Sequence, residues 1–136
     1  MKILNKVVLL STLIASTLIA DFKTLTTNEV KEHIKNGVAV IDIRRPDEYK
    51  QYGIIKGSYK LTFFNDKGAY NIDKWLENFT KIVTSKEQPF ILVCAHANRS
   101  KVVARFLDKQ LNYKNVNELD GGINYGWIDK GNKTVK

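Results

Sequence analysis

The stretch FILVCAHANRS, residues 90–100, ends an apolar run on the one cysteine of the chain, Cys94. Residues 90–93 are continuously apolar, which is typical of a strand buried on both faces of a parallel sheet. A helical pattern follows at once, from Arg99 to Leu111. In an open α/β sheet, ligands bind in the crevice beyond the carboxyl ends of the strands. The stretch therefore predicts an α/β protein with Cys94 at the functional edge of its sheet.

The same alternation continues on both sides of this stretch. Thr26 and Glu29 have capping-box spacing and predict a helix that Gly37 ends. Residues 38–43 and 116–119 are further strand-like runs, and residues 71–83 have the spacing of an amphipathic helix. Strands that alternate with helices indicate a parallel sheet covered by helices. We expect a single α/β domain with about five strands.

The region after the last predicted strand is expected to turn sharply and then fray. Gly121 and Gly122 predict a tight strand-to-helix turn, and Trp127 is expected in the core. Residues 130–136 are polar, as chain ends that are not held by the fold often are.

Residues 1–20 have the pattern of a secretory signal peptide. Lys2 and Lys6 precede an uncharged run from Val7 to Ala20, which is shorter than the roughly 20 apolar residues of a membrane span. We expect cleavage after Ala20 and a periplasmic or otherwise exported domain of residues 21–136 with no stable membrane association. The alternatives are an uncleaved N-terminal anchor and, after it, a buried core helix.

Composition limits the possible partners. The formal net charge is +8, but the lysines are dispersed, whereas a nucleic-acid-binding protein would be expected to cluster them. A dispersed basic surface is compatible with steering of small anionic substrates. Two isolated histidines and one cysteine offer no credible metal site, so we expect neither metal nor cofactor.

A lone cysteine in an exported domain is a buried and inert thiol, a thiol that links two copies in a dimer, or a reactive thiol. The neighbours of Cys94 favour the reactive one. Ala95 and Ala97 are small enough to let the loop curl so that backbone N–H groups point inward and bind an anion. The start of the following helix and Arg99 add positive charge, which lowers the pKa of a thiol. We therefore predict a nucleophilic Cys94, within reach of solvent, in an anion-binding loop.

The remaining loop residues complete the predicted substrate-binding set. Arg99 is expected to anchor an anionic donor, and His96 and Asn98 are placed in the set that contacts it. For His96 the competing interpretation, an exposed loop residue with no role in the chemistry, is the stronger one, because a lone histidine is usually not catalytic. Ser100 is expected to cap the helix or support the loop through its hydroxyl. A separate ion-paired scaffold behind the site is predicted from Asp42, Arg44 and Glu48.

These motifs resemble those of the rhodanese (sulfurtransferase) family, whose single-domain members carry a cysteine, four residues and often Arg-Ser in this loop. Cysteine-based phosphatases have five residues between cysteine and arginine and resemble the chain less. The resemblance runs from about Leu25 to Trp127. Beyond the loop it rests on Asp42-Ile43-Arg44, Glu48-Tyr49, Gly53-x-Ile55-x-Gly57 and Leu119-Asp120-Gly121-Gly122-Ile123.

The resemblance implies a three-layer α/β/α fold and a sulfurtransferase that forms a persulfide on Cys94. The donor would be thiosulfate or polysulfide, and the acceptor cyanide, a thiol or a partner protein. A non-enzymatic polysulfide carrier and a catalytically idle protein-binding module are the alternatives. Ala97 stands where the family usually has glycine, so we expect strain there if the position needs a positive φ.

Overall fold

The structure is a computed structural model that describes residues 21–136. Within that range the chain forms five strands and four α-helices, followed by a short π-helix, Asn124–Ile128. The strands are β1 (Lys23–Leu25), β2 (Ala39–Asp42), β3 (Tyr59–Lys60), β4 (Phe90–Val93) and β5 (Val116–Leu119). The helices are α1 (Thr27–Lys35), α2 (Pro46–Tyr52), α3 (Ile72–Ile82) and α4 (Asn98–Lys109).

The strands form one parallel sheet in the order β1-β5-β4-β2-β3. This confirms the predicted α/β fold with a five-stranded parallel sheet. Asp42 is in register with Val93, so the carboxyl ends of β2 and β4 lie side by side at one edge. Cys94 follows Val93 directly, and the loop that carries it therefore leaves the centre of the sheet at that edge.

Successive residues of β4 supply two apolar clusters on opposite faces of the sheet. Phe90 and Leu92 belong to the cluster beneath α3 and α4, which includes Phe79 and Leu107. Ile91 and Val93 belong to the other cluster, beneath α1 and the π-helix. Because side chains of a strand alternate between faces, a continuous apolar run requires cover on both sides. The helices provide that cover, which makes the three layers.

The predicted capping box is confirmed, and two further helix starts have favourable local chemistry. Thr26 accepts a hydrogen bond from the Glu29 N–H at 3.2 Å, and the Glu29 carboxylate accepts one from the Thr26 N–H at 3.0 Å. Pro46 is the first residue of α2, where its missing N–H is no loss. The Asn71 side chain caps α3 by accepting from the Lys74 N–H.

The expectation that residues 130–136 fray is wrong. Val135 forms an antiparallel bridge with Ile54, with N–O distances of 2.8 and 2.7 Å. The Thr134 hydroxyl also donates to the Tyr52 carbonyl. These hydrogen bonds hold the tail against the Gly53 segment, and Val135 is its one apolar residue, too weak a signal to have indicated this.

The predicted signal peptide at residues 1–20 lies outside the described residues. Within residues 21–136, no helix combines the length and the apolar character that crossing a membrane requires.

Candidate active site

Cys94 is a free thiol at the carboxyl end of β4, but it is buried, with 1% of its surface exposed. The prediction that its sulfur lies within reach of solvent is therefore wrong. The Ser100 N–H donates to Cys94 Sγ at 3.3 Å, and Sγ lies 3.5 Å from the Ser100 hydroxyl oxygen. The sulfur thus faces the first turn of α4.

The loop closes over Cys94 because Ala97 takes a left-handed conformation, with φ 71° and ψ −2°. Strain was expected at this position only if it needs a positive φ, and the structure meets that condition. Left-handed backbone is costly for a residue with a Cβ, so Ala97 holds strain that glycine would not have. Ala95 and Ala97 are both buried, and the Ala97 carbonyl accepts from the Lys101 N–H at 3.2 Å, which starts α4.

A second cause of the burial is the glycine turn that follows β5. The Ile123 N–H donates to the Cys94 carbonyl at 2.8 Å, and the Asn124 N–H donates to the Ala95 carbonyl at 3.0 Å. Gly122 lies so close that a Cβ placed on it would be 2.4 Å from the Ala95 oxygen. The sequence predicted the turn but not its contact with the cysteine loop, which only the packing of β5 beside β4 creates.

Arg99 does not present a free guanidinium to the site. Its two terminal nitrogens donate to the two Glu48 carboxylate oxygens at 2.6 and 2.7 Å, a forked ion pair between α4 and α2. Burial of Glu48 opposes its ionisation, but hydrogen bonds from Arg99 and from the Arg45 N–H outweigh burial, and the pKa of Glu48 is lowered. The same contact raises the pKa of Arg99, whose side chain is 24% exposed.

The predicted scaffold divides into two separate ion pairs. Asp42 and Arg44 are fully buried and paired, with Arg44 Nη2 2.7 Å from Asp42 Oδ2 and Nε 2.9 Å from Oδ1. The same Nη2 donates to the Gly53 carbonyl at 2.7 Å. Glu48 pairs with Arg99 instead of joining this pair. Asp42 and Arg44 thus act as structural support, as predicted, while Glu48 belongs to the site itself.

His96 and Asn98 form the exposed rim of the loop. The His96 ring lies 4.6 Å from the Tyr125 ring, centroid to centroid. On the other side of the loop, an open groove is lined by Asn98, Arg99 and the neighbouring side chains Arg45, Phe64 and Val102. The structure therefore brings the predicted site residues into one loop, with the sulfur beneath and the polar side chains outside.

Glu118 is a residue of this region that sequence reasoning missed. Its side chain is fully buried, yet it carries a carboxylate that contacts the first turn of α4. The Ser100 hydroxyl donates to it at 3.0 Å, and the Lys101 ammonium at 2.7 Å. The signal that could have found it is a charged residue inside the strand-like run at 116–119.

The arrangement can support nucleophilic chemistry at sulfur. Cys94 lies at the start of a twelve-residue helix, whose N-terminus carries a partial positive charge. The Ser100 N–H already donates to the sulfur, and it would donate equally to a thiolate. With Arg99 as a nearby fixed cation, negative charge that develops on or next to the sulfur is stabilised.

Residues 26–129 match the Rhodanese-like domain family. Among curated proteins, the chain is 34% identical over 90 residues to a thiosulfate sulfurtransferase GlpE of Tolumonas auensis, covering 66% of this chain and 72% of that protein. It is 29% identical over 124 residues to a putative mitochondrial thiosulfate sulfurtransferase of Schizosaccharomyces pombe, covering 88% and 84%.

Solved structures show the same fold. A rhodanese-related protein of Thermoplasma volcanium aligns with a TM-score of 0.60 and 25% identity, covering 83% of this chain and 97% of that chain. The polysulfide-sulfur transferase homodimer of Wolinella succinogenes aligns with a TM-score of 0.64 over 92% of this chain and 88% of that chain. At 21% identity, the second likeness concerns the fold alone.

Proposed function

The chain belongs to the rhodanese-like domain family, and on that premise we propose that it is a sulfurtransferase that carries the transferred sulfur on Cys94. The relatives named as thiosulfate sulfurtransferases support this class of reaction. The observation that carries the proposal is the position of the unpaired Cys94, between the end of β4 and the start of α4, with the Ser100 N–H on its sulfur. The chain has one cysteine, so no disulfide within it can occupy this thiol.

The proposed reaction has two displacement steps at sulfur. The first step requires the loop to open enough to admit water and the donor to the buried sulfur. The thiol then gives its proton to water, and the Cys94 thiolate attacks the outer sulfur of thiosulfate. The S–S bond of thiosulfate breaks, sulfite leaves with the electron pair, and a Cys94 persulfide remains. Cyanide or a thiol then attacks the outer sulfur of the persulfide, and the Cys94 thiolate leaves. With polysulfide as donor, the leaving group is the shortened polysulfide. Splitting one transfer into two steps lowers the barrier of each.

Arg99 and the loop would bind the anionic donor. In the forked pair, Glu48 uses one N–H of each terminal nitrogen, and a guanidinium has five N–H groups. The other N–H groups would then bind a donor anion without release of Glu48. The exposed His96 and Asn98 would contact the donor at the rim of the loop, and the backbone of Ala95 and Ala97 would shape the cradle.

A second candidate function is favoured by the burial of Cys94. A thiol that is 1% exposed, beside an arginine already held by a carboxylate, suits a protein that binds a partner or carries polysulfide without turnover. This candidate differs from the first in whether a small acceptor regenerates the thiol repeatedly.

Mass analysis of the native protein tests the proposal. We expect one added sulfur atom at Cys94 after exposure to thiosulfate or to polysulfide, and its release by cyanide as thiocyanate over many cycles. Cys94→Ser is the matched control and should gain nothing. A stable persulfide without turnover would favour the carrier, and no sulfur uptake from either donor would favour the idle module.

We further propose that the protein works outside the cytoplasm after cleavage behind Ala20. The basic start and uncharged run of residues 1–20 support export. N-terminal sequencing of the protein recovered from the exported fraction should begin at Asp21. A protein that keeps Met1 and sediments with membranes would contradict it.

A further inference from the structure

Glu118 has a carboxylate whose two oxygens have different partners. It lies on β5, in register with Leu92 of β4, and its side chain extends beneath α4. Oε2 accepts from the Lys101 ammonium and from the Thr24 hydroxyl. Oε1 accepts from the Ser100 hydroxyl at 3.0 Å. A charge this deeply buried is costly unless it is paired and hydrogen-bonded, and Glu118 meets both conditions.

The direction of the Ser100 hydroxyl proton links Glu118 to the sulfur. The Ser100 oxygen has one proton and three neighbours: Glu118 Oε1 at 3.0 Å, the Ala97 carbonyl at 3.1 Å and Cys94 Sγ at 3.5 Å. A carboxylate is a stronger acceptor than a carbonyl or a thiol sulfur. The proton therefore points to Glu118, and the lone pairs of the hydroxyl face the sulfur, where they accept from the thiol.

We propose that Glu118 is a positioning residue that sets the pH range in which Cys94 reacts, by directing the Ser100 proton away from the sulfur. With the proton held by Glu118, the hydroxyl stabilises the thiol, and a thiolate has only the Ser100 N–H from this residue as donor. The importance of this effect for sulfur transfer rests on the proposed function. The effect itself is a change in the pH dependence of thiol reactivity, which can be measured without any sulfur donor.

Replacing Glu118 by glutamine should reverse the direction of the Ser100 hydroxyl proton. Two donors, Lys101 and Thr24, meet at the position of Oε2, so the amide oxygen must take that position. The amide NH₂ then occupies the position of Oε1 and donates to the Ser100 oxygen. The Ser100 hydroxyl must then donate its proton to the Ala97 carbonyl or to Cys94. A Cys94 thiolate thus gains the hydroxyl as a second hydrogen-bond donor, beside the Ser100 N–H.

The charged groups around the thiol and the carboxylate stay unchanged in this substitution. Lys101 and Arg99 approach from α4, Glu48 from α2 through Arg99, and the Asp42–Arg44 pair from the end of β2. His96 is exposed on the loop itself.

The test is the rate of Cys94 alkylation by iodoacetamide across pH in the native protein. Gaining one hydrogen bond to a charged sulfur predicts that Glu118→Gln moves the midpoint of the pH profile down by about one unit. In the Ser100→Ala background, the same substitution should move the midpoint by less than half as much. Asp108→Asn is the control, because it makes the same charge change at the far end of α4, and should leave the midpoint in place.

An unchanged midpoint in Glu118→Gln would overturn the proposal. A full shift that persists in the Ser100→Ala background would also overturn it, because the charge of Glu118 would then act on the thiol directly and not through Ser100. If Glu118→Gln does not fold, Lys101→Met replaces it, since that side chain is 43% exposed. Without the Lys101 cation, Glu118 holds the Ser100 proton more strongly, so the midpoint should rise, and the rise should be less than half as large in the Ser100→Ala background. Alkylation needs no sulfur donor, so failed sulfur uptake leaves this result standing.

Discussion

Substitution of Ala97 by glycine isolates the strain that closes the cysteine loop. Ala97 has φ 71°, whereas Ala95, two residues earlier in the same loop, is not among the residues with positive φ. Both alanines are buried, 4% and 6% exposed. Ala95→Gly and Ala97→Gly therefore remove the same methyl group from similar surroundings and add the same freedom to the unfolded chain. They differ in backbone conformation.

The difference in free energy of unfolding between the two variants can be estimated from the backbone strain at Ala97. Each loses about 0.8 kcal/mol for a buried methyl and about 0.5–1 kcal/mol for the flexibility of glycine in the unfolded state. Ala97→Gly also relieves about 1–2 kcal/mol of left-handed strain. We expect Ala95→Gly to lower the free energy of unfolding by about 1.5 kcal/mol and Ala97→Gly to change it little.

Thermal melts of the domain of residues 21–136 provide the assay. At about 2.1 cal/mol/K per residue, the difference of about 1–2 kcal/mol corresponds to a gap of roughly 4–8 °C between the two variants. If Ala97→Gly melts as low as Ala95→Gly, the left-handed conformation costs nothing, and the reasoning fails.

Three further predictions concern the surroundings of the loop. Because the folded-state pKa of Glu48 is lowered, the stabilisation from its pair with Arg99 is complete above the glutamate value of about 4.3 and is lost as pH falls below it. In melts from pH 7 to 3, the stability difference between wild type and Glu48→Gln should therefore shrink at acid pH, and a constant difference would contradict the pairing. The burial of Cys94 also predicts that a small reagent reaches the thiol more easily than a large one. For each reagent, the rate of modification of the native protein is divided by the rate for the unfolded chain; this ratio should be much larger for iodoacetamide than for a bulky maleimide, and equal ratios would show an open site. Gly122→Ala should destabilise more than Gly131→Ala, since both positions have positive φ but only the first lacks room for a Cβ; equal losses in chemical denaturation would refute the close packing.

The elements of the fold were predictable because their signals are local. The apolar runs at 38–43 and 90–93 need no knowledge of the remainder of the chain to indicate buried strands, and the capping box of Thr26 and Glu29 spans one turn.

The features that sequence reasoning missed are set by residues far apart in the chain. Glu48 and Arg99 are 51 positions apart, and the choice of this pair over a cluster with Asp42 depends on how α2 and α4 are oriented. The burial of Cys94 depends on the turn at Gly122, which reaches the loop only because β5 pairs with β4. A pattern of residue types does not contain these distances.

The pairing of β1 with β5 affects how the chain can acquire its structure as it is made. Thr24 and Glu118 face each other across 94 positions, and the apolar partners of Leu25 and Val30 include Leu119, Ile123 and Trp127. A chain that emerges amino end first has none of these partners until nearly all of it has been synthesised, and contacts so distant in sequence form slowly. The nascent domain therefore stays open until its last strand arrives, which leaves time for a chaperone to bind it.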